Sequence, residues 1–295
     1  MGFDAQSEYR GVQTRERLRA ANPMASAIYV GQAPVNAVSP SNRGLAYGDG
    51  VFETMRVHRG ELPLWPRHLA RLLEGAARLG IAMPDVDFIE ACIADMVSAV
   101  DAGVLKLLLT RGEGGRGYAP PVDAAPTWML SLQPLPAMQA ALRVHPCETR
   151  LATQPALAGI KHCNRLEQVL GRAEAAGACC DEGLMQDMAG NPVCATSANL
   201  LVLRDGRWRT PPVETCGVAG VLRGWLLAQG LVEVAAVTPE DLAGAEDAAL
   251  CNAVRGILPV RALGAREWSP HPATQELQAR LAMAYPMFQD AGSNP

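Results

Sequence analysis

Two prolines within five residues, Gln133-Pro-Leu-Pro-Ala137, constrain this chain more than any other feature. Proline has no amide hydrogen to donate and disfavours helix in the residue before it, so neither a continuous helix nor a central strand can run through the pair. The periodic segments on either side must therefore bury their apolar faces separately. A length of 295 residues with 49% hydrophobic content is enough for two such bodies. The reading is an α+β fold with a small domain over 24–133 and a larger one over 134–295. Residues 1–23 are polar and mixed in charge, which predicts a disordered tail, with Met24 as an alternative start.

Within the first domain, strands are expected at 25–30, 51–57, 104–110 and 127–132. A hairpin is expected to turn at 58–61 and return along 62–64. Helices are expected where Leu69, Leu72, Leu73, Ala76 and Leu79 recur at helical spacing, and again from Phe88 to Val100. The second domain reads as a helix over 163–177, strands at 183–188, 199–204, 232–237 and 248–253, a turn at Asp205-Gly206, a helix from near Gly220 and a closing helix over 273–284.

A net charge of −4 gives no basic field for nucleic acid, and no apolar run is long enough to cross a membrane. The eight cysteines form no C-x-x-C pair and no secretory signal precedes them, which predicts reduced thiols and a cytoplasmic location. The five histidines show no metal-ligand spacing. Gly112-Glu-Gly-Gly-Arg-Gly117 matches G-x-G-x-x-G, but Tyr118-Ala-Pro-Pro121 follows it, and tandem prolines do not continue the helix that a dinucleotide fingerprint must open. The same loop offers Arg111 and Arg116 as planar forks for a carboxylate, or simply as solvated surface charges. In Ala158-Gly-Ile-Lys-His-Cys-Asn-Arg-Leu-Glu167 a lysine sits between apolar residues just ahead of a helix. Partly desolvated there, Lys161 would be a nucleophile able to condense with a carbonyl cofactor; a lysine laid along the surface is the plainer alternative.

Three segments carry a resemblance: Ser41-Asn-Arg-Gly-Leu-Ala-Tyr-Gly-Asp-Gly-Val-Phe-Glu-Thr54, the Gly-Ile-Lys-His-Cys-Asn-Arg-Leu-Glu run, and Ala198-Asn-Leu200. Together they resemble the fold type IV pyridoxal-phosphate enzymes, the class IV aminotransferases. That resemblance implies a two-domain fold like that of D-amino acid aminotransferase, with the cofactor between the domains. Within the family, Thr110-Arg-Gly-Glu-Gly-Gly-Arg-Gly-Tyr118 together with Ala158–Val169 is most similar to the lyases that turn 4-amino-4-deoxychorismate into p-aminobenzoate and pyruvate for folate synthesis.

The resemblance further implies that Lys161 forms the Schiff base with pyridoxal 5'-phosphate and shuttles the proton. Arg71 and the backbone amides of Val221 and Leu222 would hold the phosphate, with Asn252 and Ala253 at a second phosphate-contacting turn and Asn199 in the A-N-L motif. Arg116 and Tyr118 would reach a substrate carboxylate, with Arg111 beside them, and Arg43 would either brace the site or serve the fold. The expected partners are a small dicarboxylate substrate and a second copy of the chain in a homodimer.

One departure stands out: the family places a glutamate five residues before the asparagine of A-N-L, to pair with the pyridine nitrogen, and this chain has Cys194. A neutral thiol brings no charge to a pyridinium, so a weaker electron sink is expected. D-amino acid or branched-chain transamination on the same fold, and a catalytically impaired relative, are the alternatives.

Overall fold

The computed structural model describes residues 25–291, so the tail expected over 1–23 lies outside the described residues. The described residues form two compact units, one of residues 25–65 with Leu79–Pro136 and the other of Pro66–Arg78 with residues 137–291.

The first unit is an antiparallel sheet in the order β2-β1-β5-β4-β3, built from β1 (Ser26–Val30), β2 (Ala33–Val35), β3 (Gly50–His58), β4 (Ala102–Thr110) and β5 (Thr127–Gln133). Alternation along β4 turns Leu105, Leu107 and Leu109 inward, where they meet Met55, Trp128 and Leu130 in a buried layer. Trp128 stacks on Tyr29 at 4.3 Å between ring centroids and meets the edge of Phe88 at 6.0 Å. Phe88 belongs to a helix (Val86–Val97) started by Asp85, whose carboxylate caps the Phe88 amide. A short helix α1 (Arg43–Tyr47) begins at Asn42, which caps Gly44, and stops at Gly48 in the left-handed region at φ 66°. The hairpin expected to return along 62–64 instead closes on one bridge, His58 to Glu61. Pro63 cannot extend a ladder, and the chain enters helix α2 (Trp65–Leu79) directly. The Val86–Val97 helix is therefore α3.

The second unit contains a nine-stranded sheet. Its strands are β6 (Leu142–Arg150), β7 (Glu182–Gln186), β8 (Pro192–Ala195), β9 (Asn199–Arg204), β10 (Arg207–Thr210), β11 (Glu233–Val234), β12 (Asp247–Asn252), β13 (Gly256–Leu263) and β14 (Arg266–Glu267). The pairings β9-β12-β13-β6-β7-β8 return to β9, so these strands form a closed ring. The pair that closes it is Cys194 opposite Asn199. Leu142, Val144, Leu184, Leu200, Leu250 and Leu258 fill one cluster inside this unit. The helices are α4 (Leu166–Gly177), α5 (Val221–Ala228), α6 (Pro239–Ala243) and α7 (Pro272–Ala284). The strand expected over 232–237 is reduced to the two residues of β11. Asp205 and Gly206 both have positive φ, 51° and 69°, as a tight two-residue hairpin turn requires. No helix among the described residues is long and apolar enough to cross a membrane, and all eight cysteines are free thiols.

Candidate active site

In the second unit, the lysine motif is held by backbone bonds on one side and by an arginine on the other. The amide of Gly159 donates to Gly217 O at 3.0 Å, and Gly159 O accepts the Ala219 amide at 2.8 Å. This short ladder ties the lysine segment to the chain that leads into α5. On the other side, the Arg165 guanidinium donates from Nε to His162 O at 2.8 Å and from Nη2 to Ile160 O at 3.1 Å. The carbonyls flanking Lys161 are thus both fixed by one side chain, and the Lys161 side chain projects from a segment whose backbone has little freedom. Burial pulls the Arg165 pKa below the usual guanidinium range, with the Arg71 charge acting in the same direction. Burial, then the Arg165 charge, pushes His162 down to about 4, so it is neutral at pH 7. His162 Nδ1 is buried without a hydrogen-bond partner among the described residues, and His162 lines a cavity of about 270 Å³ together with Leu157, Ala158, Arg165, Glu167 and Cys216.

The ladder leads to the N-terminus of α5. Gly220 caps α5 and has no side chain to cap with, so it leaves the first-turn amides, those of Val221 and Leu222 included, without a hydrogen bond to an N-cap side chain. Arg71, on α2, donates from Nη1 to Ala219 O at 3.0 Å, directly beside this terminus. Seven residues further along the same helix, Arg78 donates to Ala158 O at 2.5 Å, so α2 grips both strands of the ladder. Asn199 completes the seat: its amide donates to Val218 O at 2.9 Å, and its Oδ1 packs so close to Gly220 that a Cβ there would stand 2.0 Å from it. Only glycine fits this approach. A helix N-terminus with a guanidinium alongside is a site for a phosphate dianion. The residues present therefore fit the phosphate of pyridoxal phosphate, with the Lys161 amine carried on the adjoining segment.

Asn252 serves a turn. Its Oδ1 accepts the amides of Val254 and Arg255, and its Nδ2 donates to Ser197 O at 3.3 Å, so its side chain links the β12–β13 turn to the β8–β9 turn. Ala253 sits buried in the same turn. Cys194, 6% exposed, lies among Leu151, Met185, Val193 and Cys216. Burial, then the neighbouring Cys216, pushes its thiol up to about 12 despite the Arg165 charge, so residue 194 is uncharged at neutral pH. The structure thus brings Lys161, Arg71, Asn199, Val221, Leu222, Asn252 and Ala253 into one connected set, with Cys194 bridged to Asn199.

The arginines expected at the substrate belong to the first unit. Arg111 and Arg43 both donate from Nε to Asp49 Oδ2 at 2.8 Å. Arg111 donates further to Asp49 Oδ1, Gly80 O and Leu79 O. Arg43 donates to the carbonyls of Gly117, Tyr118 and Ala119 and lies 5.0 Å from the centre of the Tyr47 ring. Burial opposes the Asp49 charge, but the hydrogen bonds and charges of the two arginines outweigh it and hold the carboxyl below its usual range. Arg111 and Arg43 are therefore braces that shape the loop, while Arg116 and Tyr118 stand exposed on it, Tyr118 at 84%. The loop opens no helix. Arg165 and Arg78 escaped the sequence reading because their partners are backbone carbonyls; the signal available for Arg165 was its place inside the lysine motif.

The family model for amino-transferase class IV matches residues 50–263. The chain belongs to that family. It is 33% identical over 250 residues to an aminodeoxychorismate lyase of Vibrio harveyi, covering 81% of this chain and 92% of the relative. It is 29% identical over 266 residues to a D-alanine aminotransferase of Bacillus licheniformis, covering 83% and 90%. Among solved structures it is similar to 4-amino-4-deoxychorismate lyase from Pseudomonas aeruginosa, with a TM-score of 0.81 and 44% identity over 87% of this chain and 98% of that one. The expected α+β, fold type IV architecture is thereby established, and the class IV family is pyridoxal-phosphate-dependent.

Proposed function

We propose that the chain is a pyridoxal-phosphate-dependent lyase that converts 4-amino-4-deoxychorismate to p-aminobenzoate and pyruvate, supplying folate synthesis. The observation that carries this reading is the likeness to two lyases over nearly their whole lengths, on a chain whose Lys161 segment is bonded to an uncapped, arginine-flanked helix terminus. Arg71 and the amides of Val221 and Leu222 hold the cofactor phosphate. Asn199, Asn252 and Ala253 shape the walls. When bound, pyridoxal phosphate supplies an electron-withdrawing ring that acidifies the substrate C4–H bond. The Lys161 amine takes the C4 proton and returns it to the methylene of the departing enolpyruvyl group as the ether C–O bond breaks. Atoms balance without water or an amino acceptor, and ring aromatisation drives the step. Arg116 and Tyr118 present the loop to the substrate carboxylates, with Arg43 and Arg111 fixing its backbone. The enzyme works in the cytoplasm as a homodimer.

The test is p-aminobenzoate release from enzymatically generated aminodeoxychorismate, with D-alanine and L-leucine transamination measured alongside. Release of p-aminobenzoate is expected; ready transamination without it would replace the lyase by an aminotransferase. Arg116→Ala is expected to lower kcat/KM for the lyase about 10- to 100-fold, the cost of one charge-assisted bond to a carboxylate, with cofactor uptake unchanged. Arg116→Lys restores only part, having charge without the planar fork.

The neutral thiol at 194 bears on which reaction runs best. Transamination leans on a protonated ring nitrogen throughout, whereas the lyase gains its driving force from aromatisation. Cys194→Glu is accordingly expected to raise transamination of D-alanine and to alter the visible absorption of the bound cofactor. A variant unchanged in both would show that residue 194 does not face the ring.

A further inference from the structure

Glu182, the first residue of β7, is 1% exposed and its carboxylate serves no step above. Its Oε1 accepts the Gly183 amide at 3.0 Å and the Thr196 hydroxyl; its Oε2 accepts the Ser197 hydroxyl at 2.5 Å. Arg255 Nη2 lies 3.5 Å from Oε2 and donates to Ser197 Oγ at 3.3 Å, and Arg172 Nη1 stands 3.8 Å from Oε1. Thr196 and Ser197 form the turn between Cys194 and Asn199. Arg255 lies in the turn that carries Asn252 and Ala253, and Asn252 Nδ2 donates back to Ser197 O. One buried carboxylate therefore ties together two turns remote in sequence, one flanked by Cys194 and Asn199 and the other bearing Asn252 and Ala253, all of them assigned to the cofactor.

We infer that Glu182 is a positioning residue: with Arg255 it fixes the spacing of the 195–198 and 252–256 turns and so sets the seat of the cofactor, an inference that rests on the cofactor reading above. The chemistry requires a carboxylate. Both oxygens act only as acceptors, for two hydroxyls and an amide, with two guanidinium groups at ion-pair distance, and a buried carboxylate is tolerable only with such compensation. An amide in its place turns one acceptor into a donor pointed at donors, and the hydroxyls of the turn must then seek other partners. Asn199, three residues after Thr196, is packed against Gly220 at the phosphate-binding terminus, so a shift of the turn reaches that terminus directly.

The experiment uses full-length protein stripped of cofactor and titrated with pyridoxal 5'-phosphate, comparing wild type, Glu182→Gln, Glu182→Asp and the pair Thr196→Val and Ser197→Ala. Glu182→Gln is expected to raise the dissociation constant by about 10-fold or more, as loss of a supporting carboxylate does at other bound groups. At saturating cofactor, its visible circular dichroism should be weaker than that of wild type. Glu182→Asp should recover part of both. Should Glu182→Gln fail to fold, the two hydroxyl variants, which leave the ion pair intact, decide: affinity and dichroism must fall in them. Wild-type affinity and dichroism in a folded Glu182→Gln, with only the apo-protein melting temperature lowered, would overturn the inference by making the carboxylate purely structural. Wild-type values in both hydroxyl variants would overturn it as well. Failure of the unmodified protein to take up cofactor would instead overturn the cofactor reading itself.

Discussion

Lys161→Ala should reduce p-aminobenzoate release by at least three orders of magnitude, because one amine is asked both to join the cofactor and to move the proton. The fold should survive. The backbone around residue 161 is held by the Gly159 ladder and by the Arg165 guanidinium, and neither uses the lysine side chain. Borohydride should fix the cofactor to Lys161 in the wild type and leave the variant unlabelled, while pyridoxal phosphate should still bind through Arg71 and the α5 terminus. A small exogenous amine should restore part of the rate by standing in as base. Peptide mapping after reduction and initial-rate assays check these outcomes. A loss below 10-fold, or label on another lysine, would remove Lys161 from the chemistry.

The lysine run and the start of α5 were legible as local patterns, a lysine between apolar residues ahead of a helix and a glycine opening a helix, whereas the roles expected of Lys161, Arg71, Val221 and Leu222 came from the family resemblance alone. Strands were legible where β-branched and leucine-rich runs are unbroken, as in β4 and β9. Two central strands were hidden by prolines. Pro146 lies inside β6 and marks an irregularity against β7, while Pro259 lies inside β13 opposite Ala249, so in both cases a breaker sits within a ring strand and suppresses the pattern. The site was hardest to read where the partner is backbone or remote. Nothing near Arg111 in sequence announces that its donors are taken by Asp49, 62 residues away, and by the carbonyls of Leu79 and Gly80. Nor does counting to position 194 reveal that burial, then the neighbouring Cys216, pushes that thiol up to about 12. Nothing beside Glu182 in sequence announces its acceptor role, because the hydroxyls it accepts belong to Thr196 and Ser197, 14 and 15 residues on.

Asp49→Asn should cost about 3–5 kcal/mol of stability, the loss typical when one member of a buried ionic group is removed and the others are left uncompensated. Asp49, Arg43 and Arg111 keep only 15%, 5% and 12% of their side chains exposed. One oxygen of Asp49 accepts both Nε–H groups at 2.8 Å, and asparagine can present an acceptor there only by turning its NH2 group toward Arg111 Nη2. The acid dependence follows from the sign of the shift. The Asp49 carboxyl titrates lower folded than unfolded, so its contribution is complete above about pH 4, the unfolded value, and is lost as pH falls through the folded one. The gap between wild type and variant in denaturant unfolding should thus be full at pH 7 and shrink under acid below that range. A gap under 1 kcal/mol at pH 7 would show the cluster to be solvent-screened. Because Arg43 also holds the carbonyls of Gly117, Tyr118 and Ala119, hydrogen exchange in the 111–119 loop should quicken in the variant. Arg116 and Tyr118 ride on that loop, so in the lyase assay KM should rise more than kcat falls, tying a half-buried carboxylate in the first unit to substrate capture rather than to proton transfer.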